Sequence, residues 1–178
     1  MWGKEVLVSR EPVTLTSKME RCVGYGAAIA SAYPLSQGDV LIVHSVSGRN
    51  PVPIEVAMAG RKAGCTVICL TSLAYSRAVA SRHPSGKRLF ELADIVLDNH
   101  GEKGDACVEV RGTETKSGPT STVIGAIILN AIYAEVANEL TSRGMSPAPV
   151  FCSANVDGGD AINDGLLHRY SAQIHYKL

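Results

Sequence analysis

Three short stretches of this chain concentrate hydroxyl groups in a way that can hold an anion. The first reads Ser45-Val46-Ser47-Gly48-Arg49-Asn50, two hydroxyls one residue apart followed by a glycine that lets backbone N–H groups turn inward. The second is Thr71-Ser72 with Ser76 one turn further on, and the third is Thr120-Ser121-Thr122. Any one of them also reads as an ordinary helix cap, because Ser and Thr are good N-caps. Taken together they offer many neutral donors and few fixed charges, which suits a phosphate monoester on a polar metabolite. Neither G-x-x-x-x-G-K-[ST] nor G-x-G-x-x-G occurs, so neither of these nucleotide-binding loops is present.

The elements around these stretches place them at one edge of a sheet. Residues 17–33 carry apolar side chains at helical spacing (Met19, Val23, Ala27, Ala30, Tyr33) and predict a helix ended by Pro34. Val40-Leu41-Ile42-Val43 reads as a buried strand, and the first hydroxyl stretch follows it directly. A helix then runs from Pro51 to Gly64, and Thr66–Leu70 is a second buried strand leading into the second stretch. Residues 87–93 predict a short helix, Ile95–Leu97 a third strand and Val108–Val110 a fourth. A long helix opens at Pro119, capped by Ser117 or Gly118, and its apolar pattern, running from Val123 to Leu140, is wide enough to be buried between other elements. Strands alternating with helices predict an α/β fold with a parallel sheet, in which ligands bind beyond the carboxyl ends of the strands.

Composition narrows the function classes. The 178 residues fit one domain, residues 1–178, with 46% hydrophobic and 19% charged residues, and the 5% aromatic share leaves a core of Val, Ile, Leu and Ala. Seventeen basic residues against seventeen acidic ones leave no global field to draw the chain to nucleic acid or an anionic membrane. The five cysteines are odd in number and show no C-x-x-C spacing, so a reduced, cytoplasmic chain is expected. No secretory signal is read at the start, and the apolar stretch from Val123 to Val136 is too short to span a bilayer.

Ser45-x-Ser47-Gly48-Arg49-Asn50, Thr71-Ser72-x-x-x-Ser76 and Pro119-Thr120-Ser121-Thr122 together resemble the sugar isomerase (SIS) domain. The runs Ser81-Arg82-His83-Pro84-Ser85-Gly86-Lys87-Arg88 and Ser153-Ala154-Asn155-Val156-Asp157-Gly158-Gly159-Asp160 resemble a bacterial branch of SIS proteins of uncharacterised substrate. The resemblance, from about Glu11 to Tyr170, implies a flavodoxin-like, three-layer parallel sheet of about five strands. It also implies phosphosugar binding and a homodimer or larger homo-oligomer, with no nucleotide or redox cofactor. SIS domains begin with a helix, a strand and a Gly- and Ser-containing loop; Lys4–Val8 reads as a remnant strand with no such loop after it, an N-terminally shortened domain.

On this resemblance Ser45, Ser47, Gly48, Arg49, Asn50, Thr71, Ser72 and Ser76 hold the phosphate, and Thr120, Ser121 and Thr122 close the pocket. Aldose–ketose isomerisation needs a base and a ring-opening group, for which Glu55, His83 and His100 are the candidates. Each has a plainer reading: Glu55 as a carboxylate favoured near a helix N-terminus, His83 as part of a solvated basic turn, and His100, with Glu102, as a loop residue. The alternative to an isomerase is a module that senses a phosphosugar without turning it over. His44 reads as a satisfied histidine at a strand end and Cys69 as inert strand packing; Asp157 and Asp160 do not establish a metal site.

Overall fold

The computed structural model describes residues 13–173, so the expected strand Lys4–Val8 and the tail residue His175 lie outside it. In chain order the elements are α1 (Val13–Met19), α2 (Tyr25–Ser31), β1 (Val40–His44), α3 (Pro51–Ala63), β2 (Thr66–Thr71) and α4 (Leu73–Arg77). They continue with β3 (Ile95–Asp98), β4 (Ala106–Glu109), β5 (Lys116–Pro119), α5 (Ser121–Ser142) and α6 (Gly159–Arg169). A single 3₁₀ turn, Leu89–Glu91, stands where a short helix is expected. The chain falls into two compact units divided between Ala126 and Ile127.

The first unit is built on a parallel sheet in the order β1-β2-β3, with Ile42 opposite Ile68 and Ile68 opposite Ile95. This is the parallel α/β sheet expected, with both crossovers made through helix-bearing connections. On one face of the sheet Val43, Val67 and Cys69 meet Ile54 and Ala57 of α3 and Leu89 and Leu92, and Leu70, on the opposite face, is fully buried as well. Ile54, Val67, Cys69 and Leu89 are fully buried, each of the aliphatic side chains contributing roughly 1.5–3 kcal/mol. Burial also pushes the Cys69 thiol up to about 11, which keeps it protonated and inert as the sequence implies.

Three expectations change. The helix over 17–33 is broken into α1 and α2, because Gly24 takes a left-handed φ of 89° and the Glu55 carboxylate captures the N–H groups that open α2. The fourth strand does not join the parallel sheet: β4 pairs antiparallel with β5, so three parallel strands stand among the described residues where about five are implied. The long helix is mostly exposed, with Val123 and Ile127 each about 60% accessible and only Gly125 and Leu129 buried. At 22 residues it is long and apolar enough to cross a membrane by length and composition, since Val123–Val136 is only its middle. In the second unit, α6 is preceded by a tight turn, and the Asn163 carboxamide clamps both the N–H and the carbonyl of Cys152 at 2.8 and 2.9 Å. Asp160 lies in the first turn of α6, where its charge suits the helix dipole.

Candidate functional site

All three parallel strands deliver their carboxyl ends to the same edge, and the β1 and β2 loops are joined there. Val46 carbonyl accepts from Thr71 Oγ1 and from Ser72 N–H, both at 3.0 Å, and Ser45 N–H bonds Leu70 carbonyl at 3.0 Å. From the other side, Leu89 N–H bonds Gly48 carbonyl at 2.8 Å and Arg82 N–H bonds Arg49 carbonyl at 2.7 Å. The loop's carbonyls thus face its supports. Among the described residues, the N–H groups of Val46, Ser47, Gly48, Arg49 and Asn50 have no acceptor, and neither have the Ser45 and Ser47 hydroxyls. Gly48 and Asn50 are buried, and buried N–H groups are almost always paired, so this row of donors has the chemistry of an anion cradle.

The cradle has a polar floor. Gly48 is left-handed, at φ 57°, and a side chain there would come within 3.1 Å of Ser76 Oγ and 3.4 Å of Thr71 Oγ1. Thr71, Ser72 and Ser76 are fully buried. Thr71 is satisfied by Val46, while Ser72 caps α4 by accepting Tyr75 N–H at 3.0 Å and donates to Gly101 carbonyl. Ser76 Oγ has no hydrogen-bond partner. The helix behind the loop adds fewer N–H donors than its position suggests, because Pro51 and Pro53 have no N–H and Val52 N–H is taken by Glu20 carbonyl. The cradle's donors therefore come from the loop itself.

Two cations flank it. Arg82 Nη1 bonds Asn50 Oδ1 at 3.0 Å and Arg49 Nε bonds Ala80 carbonyl at 2.9 Å. Loss of solvent, with Arg49 and Arg21 nearby, holds Arg82 below its ordinary pKa, a like-charge crowding that an anion relieves. Arg88 lies over Phe90 and against Glu91, and its Nη1 donates to the carbonyls of Ser76 and Arg77 at 3.3 and 3.4 Å.

Glu55 and His83 are brought together, His83 Nε2 lying 3.6 Å from Glu55 Oε1. Ser85 N–H donates to His83 Nδ1 at 3.1 Å, which leaves the ring's N–H on Nε2, facing the carboxylate. Glu55 is nonetheless fully employed, accepting from Gly24, Gly26 and Ala27 N–H at 2.6, 2.8 and 3.3 Å. It serves the N-terminus of α2, not that of its own helix as the sequence suggests. His100 follows a parallel strand on the correct edge, but is highly exposed and held by Asp98 at 3.4 Å; Glu102 pairs with Lys116.

The α5 N-terminus receives an internal anion. The Asp105 carboxylate accepts from Thr120 N–H and Oγ1 and from Ser121 N–H and Oγ. Burial alone would raise its pKa, but these hydrogen bonds from Ser121 and Thr120 bring the net shift below the ordinary value. Thr122 is exposed.

His44, read above as satisfied, has no ring hydrogen bond among the described residues; its ring packs against α5, where a side chain at Gly125 would come within 3.2 Å of three ring atoms, Cε1 the nearest. Burial lowers its pKa from 6.5 and outweighs the opposing pull of Asp105. A depressed histidine pKa favours the folded state above the unfolded value, and that contribution is lost as pH falls below 6.5 toward the folded value. Denaturant midpoints measured from pH 7.5 down to 5 should decline across that window, and His44→Ile should flatten the decline. An unchanged slope in His44→Ile would assign the pH dependence to other groups.

A family model described as SIS domain matches residues 2–72, which include β1, its loop, α3, β2 and Ser72. A UPF0309 protein of Shouchella clausii is 52% identical over 99% of this chain and 71% of its own length. The chain belongs to the UPF0309 family of SIS-domain proteins. A family member from Oceanobacillus iheyensis is 45% identical over the same shares, and one from Listeria monocytogenes is 43% identical over 96% of this chain and 68% of its own. Sequence reasoning passes over Asn99, between the end of β3 and His100; its signal is a buried amide with an unmet donor, which only the folded chain reveals.

Proposed function

We propose that this chain binds a phosphosugar at the carboxyl edge of its parallel sheet, the phosphate seated in the Ser45–Asn50 loop. One observation carries the reading: a run of unengaged backbone N–H groups folded over the buried, unpartnered hydroxyl of Ser76. Ser45, Ser47 and Thr71 add hydroxyls, and Arg49 and Arg82 supply positive charge beside the loop. Such an arrangement suits a dianionic monoester, needs no nucleotide or metal, and leaves the sugar to face the β2 and β3 loops. Assembly into a homodimer or larger homo-oligomer in the cytoplasm belongs to the same reading, and the exposed apolar side chains of α5 support it.

Binding without turnover is the better supported form. Glu55 has both oxygens occupied by backbone donors, and His100 is tied to Asp98. Isomerisation stays as the second reading because Glu55 and His83 do meet, 3.6 Å apart. Proton exchange from a bound phosphosugar into deuterated water, followed by NMR, separates the two.

Ser76→Ala provides the sharpest test of the site. Removing a buried hydroxyl that has no partner should leave the unliganded melting temperature unchanged or slightly raised. The same substitution should weaken phosphosugar binding about tenfold, the worth of one hydrogen bond to a charged group. Thermal shift against hexose, pentose and amino-sugar phosphates measures both. Ser47→Ala should also lose the shift, whereas Ser36→Ala, in the turn before β1, should keep it. A wild-type chain unmoved by millimolar concentrations of every phosphosugar would overturn the reading.

A further inference from the structure

Asn99 follows β3 at the same edge, and its N–H extends the ladder by bonding Thr71 carbonyl at 3.0 Å. Its side chain is nearly sealed, the residue being 5% exposed. The carboxamide oxygen is used: Gly101 N–H donates to Asn99 Oδ1 at 3.0 Å, closing a turn. Nδ2 meets nothing. Rotating the amide by a half-turn offers no relief, since it would set the NH₂ against Gly101 N–H, so the orientation is fixed by chemistry. An aspartate, or a serine in the shorter version of the same turn, would close the loop equally well. The turn therefore accounts for Oδ1 and leaves the amide nitrogen unexplained, a buried donor that is costly when it stays unpaired.

Its neighbours place it beside the loop that follows β2. A side chain at Gly101 would lie within 3.2 Å of Asn99 Oδ1, 3.5 Å of Thr120 Oγ1 and 3.7 Å of Ser72 Cβ, so these residues converge around that glycine. Ser72 follows Thr71, whose hydroxyl forms part of the cradle's floor. Asp98 is spent on Leu73 N–H and His100 N–H, and Asp105 on the start of α5. Among the described residues, the buried side-chain group left unmet at the end of β3 is this donor, so it calls for a lone pair.

We infer that the Asn99 carboxamide is a specificity-determining donor, giving a hydrogen bond to a hydroxyl or carbonyl oxygen of the sugar portion of the ligand. This rests on the phosphosugar reading above. It narrows the substrate class: the group presented to Asn99 is oxygen with a free lone pair, and a protonated amine at that point is disfavoured. Ser76 and the loop N–H groups then read the phosphate, and Asn99 reads what the phosphate is attached to.

The test uses the full chain and two probes, inorganic phosphate and the panel of sugar phosphates, with affinities from calorimetry. Asn99→Ser retains an acceptor for Gly101 N–H and lacks the NH₂ group. It should melt at or slightly above the wild-type temperature and bind inorganic phosphate as the wild type does. Its affinity for the preferred sugar phosphate should fall about fivefold, the loss of one neutral hydrogen bond. Asn99→Asp, which keeps the turn oxygen, should lose at least as much for the sugar phosphate and serves if the serine variant does not fold. An unchanged ratio of sugar-phosphate to phosphate affinity in the folded variant overturns the inference while leaving the phosphate cradle intact. Failure of the wild type to bind either probe overturns the phosphosugar reading and this inference with it.

Discussion

Glu55→Ala should lower the melting temperature by about 6–12 °C, from a loss of about 3 kcal/mol in a chain of this size. The carboxylate is 7% exposed and accepts three N–H groups at the start of α2, so its removal leaves those donors unpaired, the one on Gly26 in a buried position. A cavity adds to the cost, because Glu55 sits where α2 packs on α3, and His83 loses the group that faces its Nε2. Glu55→Gln should fall between the two: its Oε1 can still accept, but its NH₂ is set against N–H donors. Differential scanning calorimetry at pH 7.5 orders the three proteins. If Glu55→Ala melted within about 2 °C of the wild type, the structural role would fail and a catalytic one would gain. The expected large loss means that any drop in turnover seen with this variant must be corrected for unfolded protein before Glu55 is called a base.

That result bears on what could be read from the residues alone. The sheet was legible because β1 and β2 are short, β-branched apolar runs bounded by turn signals, and the hydroxyl stretches follow directly from their ends. Ser45–Asn50 and Thr71–Ser72 are accordingly joined in the fold. What local pattern could not show is who answers whom. Met19, Val23, Ala27, Ala30 and Tyr33 keep helical spacing across Gly24, yet the helix breaks there, since a carboxylate about thirty residues away supplies a better cap than continuity does. Thr120 and Ser121 offered donors to a ligand, and Asp105, fifteen residues upstream and itself in a left-handed conformation, takes them. The α5 pattern suggested burial on several sides, but an apolar helix is buried only if this chain places something against it, and most of α5 stays accessible. Ser76 was flagged by its spacing and Asn99 was not, although both are orphaned in the same manner, because an unmet hydrogen bond is a property of the assembled interior.

Gly48→Ala should produce the largest loss of binding. The position needs a left-handed backbone, which costs a residue with a Cβ roughly 1–2 kcal/mol, and the added methyl would meet Leu89 Cβ and Ser76 Oγ at 3.1 Å. Leu89 belongs to the buried core and cannot retreat far, so the loop must move instead. A shift of a few tenths of an ångström carries the N–H groups of Ser47 to Asn50 with it. Gly86→Ala is the control: Gly86 is also left-handed, at φ 71°, but nothing lies within 4 Å of its missing side chain. Both variants should pay the backbone cost, seen as similar decreases of about 2–8 °C in melting temperature. Gly48→Ala should lose somewhat more, and should bind phosphosugar at least tenfold more weakly, whereas Gly86→Ala should bind as the wild type does. Equal binding by the two variants would remove the loop from the site. The comparison isolates geometry from stability, since the strain is common to both positions and only Gly48 lies against the unpartnered hydroxyl of Ser76.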